Sequence, residues 1–136
     1  MAIDHTSFYV PEEKFQQCLK FYLEALKPLG YQIRYQFGEF VVGLGSRNED
    51  FSTYQRADFW VFGTKTILKR PAHIAFKCHD HASVDAFHAA AIKAGGKDNG
   101  SPGLRSSYHP NYYGAFVIDP SGNNIEAVDH GVYSNP

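Results

Sequence analysis

Cysteine, tryptophan and methionine are scarce in this chain, with two, one and one among 136 residues. Cys18 and Cys78 lie far apart with no CxxC spacing, each on an apolar face of its expected element. That pattern excludes a disulfide framework or a zinc knuckle and reads as two buried thiols. Long hydrophobic runs are missing too: none approaches the roughly 20 residues a membrane helix needs. Neither sign of charge dominates, since 13 basic against 14 acidic residues leave a net charge of -1 and a pI near 6.6. A basic surface for nucleic acid or an anionic membrane is therefore not expected. The opening "MAIDHTSFYVPEEK" lacks a basic region followed by an apolar stretch and a cleavage site, so the chain reads as cytoplasmic rather than secreted.

Aromatic residues are abundant, with nine Tyr and eleven Phe, enough to fill the core of one small domain and also line a pocket. Residues 2–10 alternate as a strand. Pro11, Glu12 and Glu13 then suit a helix start, and Phe15, Cys18, Leu19, Tyr22, Leu23 and Leu26 recur at helical spacing until Pro28 and Gly30. "YQIRYQF" and "FVVGLG" read as a hairpin, and "ADFWVFG" as a fourth strand. The pattern then restarts. "AHIAFKC" is a strand, and Val84, Phe87, His88, Ala91 and Ile92 form the apolar stripe of a second helix, in which His88 reads as a core residue. "KDNGSPGLRSSYHPN" reads as loop with one short strand near its start, and "YYGAFVID" and "NIEAVDH" close the chain around the turn "PSGN".

The order strand, helix, strand, strand, strand thus occurs twice, in modules of about 1–64 and 72–136. Its register places four polar residues in equivalent positions. His5 opens the first module and His73 the second, and the same offset of 68 carries Asp58 onto Glu126. Each sits among apolar neighbours on a strand, and alternation assigns the four to the faces opposite the helix-packing sides. A carboxylate buried alone costs several kcal/mol, about the amount that pairing or a cation offsets. Two imidazoles and two carboxylates therefore point to a divalent ion such as Zn, Fe, Mn, Ni or Co, with hydrogen-bonded polar groups of a pocket as the plainer alternative.

Further candidates surround this set. Arg105 and His109 lie in the Gly/Pro-rich segment, Arg105 as an anion contact or a clamp on backbone carbonyls, His109 as a general acid or base. Alternation lets only one of Tyr112 and Tyr113 face inward. "HDH" at 79–81 reads as a helix start capped by Asp80 rather than as a metal pair. Trp60 and Phe62 share the face of Asp58, either as cavity wall or as core.

The pieces "DHTSFYV", "AHIAFKC" and above all "YYGAFVIDPSGNNIEAV", with the element order over essentially the whole chain, resemble the vicinal oxygen chelate superfamily. This group contains glyoxalases, bleomycin and fosfomycin resistance proteins and extradiol dioxygenases. The resemblance implies an α+β fold of two βαβββ modules around a U-shaped cleft. It implies a divalent metal held by His5, His73 and Glu126, with Asp58 as a fourth acid, and a small-molecule substrate with vicinal oxygens. It also implies lyase or isomerase chemistry, with metal-free sequestration of a ligand as the alternative, and it leaves room for a homodimer. Phe116 stands where ring-cleaving dioxygenases of the group carry a catalytic Tyr, which argues against ring cleavage although His109 is suitably placed. The closer likeness is to small fungal and bacterial members sharing "HP-x-YYGAFV-x-DP-x-GNNIEAV".

Overall fold

A computed structural model describes residues 4–47, 55–66 and 71–131. Strand β1, Thr6–Pro11, buries Phe8 and Val10 and turns Tyr9 outward. Pro11 ends this strand instead of starting the helix, because its backbone is extended, with φ -58 and ψ 137. A 3-10 turn over Glu12–Lys14 follows before helix α1, Phe15–Ala25, which buries Phe15, Cys18, Leu19, Phe21, Tyr22 and Ala25. A second 3-10 turn, Lys27–Leu29, closes on Gly30, whose φ of 83 is a conformation that favours glycine. Strands β2, Tyr31–Gln36, and β3, Val41–Ser46, form the expected hairpin, and β4, Phe59–Thr64, completes the first sheet. The second half repeats the order as β5, His73–Lys77, α2, His81–Lys93, β6, Lys97–Leu104, β7, Tyr113–Ile118, and β8, Asn124–Asp129.

Each sheet has four strands, ordered β1-β4-β3-β2 and β5-β8-β7-β6. The first and last strands of each module pair in parallel, and the remaining neighbours are antiparallel. The fold is therefore α+β with two mixed sheets, as the resemblance implies. β6 runs through eight residues where the sequence pattern indicates a short strand. It contains Pro102 and breaks register with β7 at two places, which an edge strand tolerates because one of its sides has no ladder to fill.

One continuous apolar core spans both halves. Phe59 is its hinge, meeting Phe8 at 5.3 Å, Tyr22 at 4.9 Å and Phe76 of the second sheet at 5.4 Å, all edge to face. Cys18 and Cys78 are both buried free thiols, as their apolar setting requires.

The β7–β8 turn is heavily bonded. Asp119 is buried and accepts hydrogen bonds from the backbone of Ser121 and Asn123, each at 2.8 Å, and from the Asn123 amide at 3.0 Å. Gly122 supplies the left-handed position at φ 93. The Asn123 side chain then accepts from the Ala72 backbone at 2.9 Å, and Asn124 N–H donates to the Ala72 carbonyl at 2.9 Å. This turn thereby sets β8 beside the start of β5, with Ala75 opposite Glu126.

Candidate metal centre

Glu126 sits at the middle of β8 with its side chain only 4 % exposed, whereas the side chain of His73, on the neighbouring strand, is 48 % exposed. His73 Nδ1 lies 2.9 Å from the carbonyl oxygen of Asn124. A carbonyl only accepts, so Nδ1 carries a proton, while Nε2 lies 3.1 Å from Glu126 Oε2. That contact is satisfied by a second ring proton, as an imidazolium–carboxylate pair, or by a cation shared between the two groups. The separation also suits two ligands of one ion with bonds of about 2.0–2.2 Å, and a histidine whose other nitrogen is fixed by a carbonyl is the usual arrangement around such ions.

The second oxygen of Glu126 is also occupied. The Tyr112 hydroxyl donates to Oε1, and burial, reinforced by that bond and by the carboxylate charge, pushes the phenol above its ordinary range. Tyr112 is therefore the inward member of its pair. Tyr113 goes to the opposite face, where its hydroxyl donates to Asp85 at 2.6 Å and its ring stacks on His81 at 3.8 Å. Phe116, opposite Glu126 in register, stacks with His73 at 6.2 Å, and the Arg105 guanidinium lies 5.1 Å from the centre of the Phe116 ring.

Arg105 is drawn toward this cluster but gives its donors to the carbonyls of Gly103, Ser101 and Gly114. It acts as a clamp on the end of β6. His109 reaches it as well: Nε2 is 2.8 Å from Nδ1 of His130, and both imidazoles meet the Tyr112 ring edge to face at 5.3 Å.

His5 and Asp58 do not join His73 and Glu126. His5 Nδ1 is held 2.8 Å from Asp4 just before β1, and Asp58, one residue ahead of β4, accepts from the Tyr31 hydroxyl at 3.1 Å. Both nevertheless line, with His73, a cavity of about 480 Å³ between the two modules. Among the described residues no cluster of three or more His, Cys, Asp or Glu side chains converges tightly enough to hold an ion. What is formed is half of the set that the sequence pattern assembles.

Other expectations resolve locally. Asp80 caps α2, accepting from Ser83 N–H at 2.7 Å, so "HDH" is a helix start. His88 is not enclosed in apolar core. It sits at the helix margin and bonds Asp98 at 2.8 Å, because β6 brings a carboxylate alongside. That bond, with the Gly100 N–H second, holds Asp98 below the usual carboxylate range. Trp60 and Phe62 belong to an open aromatic platform rather than to the core. Trp60 lies nearly parallel to Tyr35 and Phe37 at 6.2 and 6.1 Å, and Phe62 stacks on Tyr9 at 5.5 Å. Gly43 makes this possible, since any Cβ there would meet the Trp60 ring at 2.8 Å.

The sequence leaves Tyr112 and Tyr113 as alternatives and does not single out His130. The signal for Tyr112 is register: the tight turn pairs Phe116 with Glu126, and stepping back by two along the strand gives Gly114 and then Tyr112 on the same face.

The arrangement of two βαβββ units, each with its own four-stranded sheet, defines the fold. The chain has the fold of solved glyoxalase/bleomycin resistance/dioxygenase proteins. A glyoxalase/bleomycin resistance protein from Albidiferax ferrireducens T118 superposes with a TM-score of 0.68 at 24 % identity, over 91 % of this chain and 96 % of that one. A glyoxalase/bleomycin resistance protein/dioxygenase family enzyme from Burkholderia phytofirmans PsJN gives 0.68 at 15 %, over 95 % and 98 %. A lactoylglutathione lyase from Agrobacterium tumefaciens gives 0.64 at 17 %, over 94 % and 92 %. No family model and no curated protein sequence matches the chain. No helix among the described residues is long and apolar enough to cross a membrane.

Proposed function

We propose that this chain is a divalent-metal-dependent lyase or isomerase acting on a small molecule with vicinal oxygens. The observation that carries this is the meeting of His73 Nε2 with the buried Glu126 carboxylate at 3.1 Å, on the strand that brings His73 to the cavity lined by His5 and Asp58. His73 and Glu126 hold the ion, and His5 and Asp58, on the walls of the same intermodule cleft, complete its ligand set as it binds. Bound there, a divalent ion polarises a substrate oxygen as a Lewis acid. His109, backed by His130, serves as the acid or base at the cleft, and Arg105 fixes the loop that carries it. With Phe116 in place of a hydroxyl-bearing side chain, proton transfer or elimination is favoured over ring cleavage.

Metal analysis of protein purified without added metal, followed by zinc, manganese and nickel titration, tests the reading. One ion per chain is expected, weakened at least tenfold in His73→Ala and in His5→Ala. Absence of binding by the unsubstituted protein would overturn it. The same material in analytical ultracentrifugation measures whether the chain forms the homodimer that the resemblance allows.

A second reading, metal-free binding of an aromatic compound, is favoured by the open platform of Trp60, Tyr35, Phe37, Phe62 and Tyr9. Tyr9 and Phe37 are 54 % and 62 % exposed. Trp60 is the sole tryptophan, so its emission reports directly on an occupant. Quenching by an aromatic ligand that persists in His5→Ala and His73→Ala without metal would support this reading over the first.

A further inference from the structure

The cavity between the modules runs along the edge of a strand rather than across a sheet face. It is lined by every residue from His73 to His79 in turn, whereas a cavity over one face of β5 would meet alternate residues only. β5 has β8 on one side and no strand on the other among the described residues. The Ala72 carbonyl accepts from Asn124 N–H at 2.9 Å, and Cys78 N–H donates to the Val128 carbonyl at 2.7 Å. Even-numbered residues of β5 therefore turn their backbone groups toward β8, and His73, Ala75 and Lys77, all exposed, point N–H and C=O away from it. The other sheet edges are blunted in the usual ways. β6 carries Pro102 and breaks register with β7, β2 has a bulge between Ile33 and Tyr35, and β1 ends in Pro11. β5 has no proline and keeps one register with β8 throughout. A regular edge lined by a cavity is a template for one more strand.

We propose that β5 binds the extended C-terminal end of a peptide, added parallel to it as a fifth strand of the second sheet. The peptide main chain pairs with His73, Ala75 and Lys77 at the usual strand spacing of about 4.8 Å. The far wall of the cavity belongs to the first module, with Leu29, Tyr31 and Arg56, so the space admits a single chain and not the continuing sheet of a second copy. Charge sets the direction. Asp4 is engaged with His5 and Arg56, Asp58 with Tyr31, and His73 with Glu126. Lys77 closes β5 and has no acid partner among the described residues, which suits it to a terminal carboxylate. A chain running parallel to β5 brings its C-terminus to that end. The proposal uses no ion and goes beyond the metal reading.

Random pentapeptides with a free C-terminal carboxylate are screened against the unsubstituted protein in EDTA, and enriched peptides are measured by fluorescence anisotropy. Binding is expected. N-methylation of one alternate set of peptide amides, and not of the other, should weaken it about tenfold or more. Ala75→Pro deletes an outward N–H and no bond to β8, a change that an edge strand tolerates. With its circular dichroism unchanged, this variant should lose about as much affinity. Lys77→Gln should weaken the acid about two- to fivefold and leave the C-terminally amidated peptide unaffected. Failure to enrich any peptide in EDTA, or affinity indifferent to N-methylation, to a folded Ala75→Pro or to amidation, would overturn the proposal and leave the metal reading untouched. Peptides that bind only after zinc is added would also overturn it, and would count for the metal reading instead.

Discussion

The hydroxyl of Tyr22, in the middle of α1, donates to the buried carboxylate of Asp119 in the β7–β8 turn, joining the first module's helix to the second module's turn. Asp119 also collects three hydrogen bonds from within its own turn, so the bond carries the position of α1 directly to the segment that sets β8. Replacing Tyr22 by Phe leaves the ring among Phe8, Phe21 and Phe59 but removes the donor. A hydrogen bond to a charged group contributes about 1.5–3 kcal/mol. Tyr22→Phe should lower unfolding free energy by about that amount in urea denaturation, with the slope unchanged.

Alkaline pH should weaken the fold by a definable route. Burial pushes the Cys18 thiol up to about 11 and the Cys78 thiol to about 12, and it holds the Tyr22 phenol well above 10.0. In the unfolded chain these groups release protons at their ordinary values, so the folded state retains protons that the unfolded state has lost. Stability is then complete below the ordinary thiol value of 9.0 and declines as pH rises above it. Urea midpoints measured from about pH 7 to pH 11 should be level at first and then fall. Serine at both cysteines should flatten the earlier part of that decline.

Asp80 makes a prediction of opposite sign. Its carboxylate caps α2 and is held below the usual range first by its bond with Ser83. A lowered carboxylate contributes stability above its unfolded value and loses it as pH falls through the folded value. Asp80→Ala should therefore reduce the thermal midpoint at neutral pH. The difference from the parent protein should shrink toward acid, and a difference that persists unchanged there would count against the cap.

The secondary structure was legible because its determinants are local. Alternation marks β1, β4, β5 and β8, and the apolar stripe marks α1. Gly30 and the Asp119–Asn123 turn announce their own conformations. The module repeat was visible for the same reason. What sequence could not supply is convergence. His5 and His73 occupy equivalent places, but Asp4 holds one imidazole and Asn124 with Glu126 holds the other. Equivalence within a repeat fixes the face of a strand, not the distance between two modules. Trp60 shows the same limit, since its outward position depends on Gly43 in another strand having no side chain. The sequence leaves the choice between Tyr112 and Tyr113 open and the register of β7 against β8 decides it, whereas the grip of Tyr112 on Glu126 depends on the clearance left by Gly114.

Glu126 brings function and stability into conflict, and Glu126→Gln separates them. In the metal-free chain the buried carboxylate receives the Tyr112 hydroxyl and lies 3.1 Å from His73 Nε2. A glutamine amide keeps both contacts: its oxygen accepts from Tyr112, and its NH₂ donates to Nε2 of a neutral His73. The substitution also removes a buried charge that costs more than a neutral group to desolvate. Metal-free Glu126→Gln should thus be as stable as the parent protein or more stable, by about 1 kcal/mol. Added divalent metal, which should raise the melting temperature of the parent through binding to the folded state, should leave the variant's unchanged. A clear loss of metal-free stability would mean that the carboxylate is there to hold the fold rather than an ion.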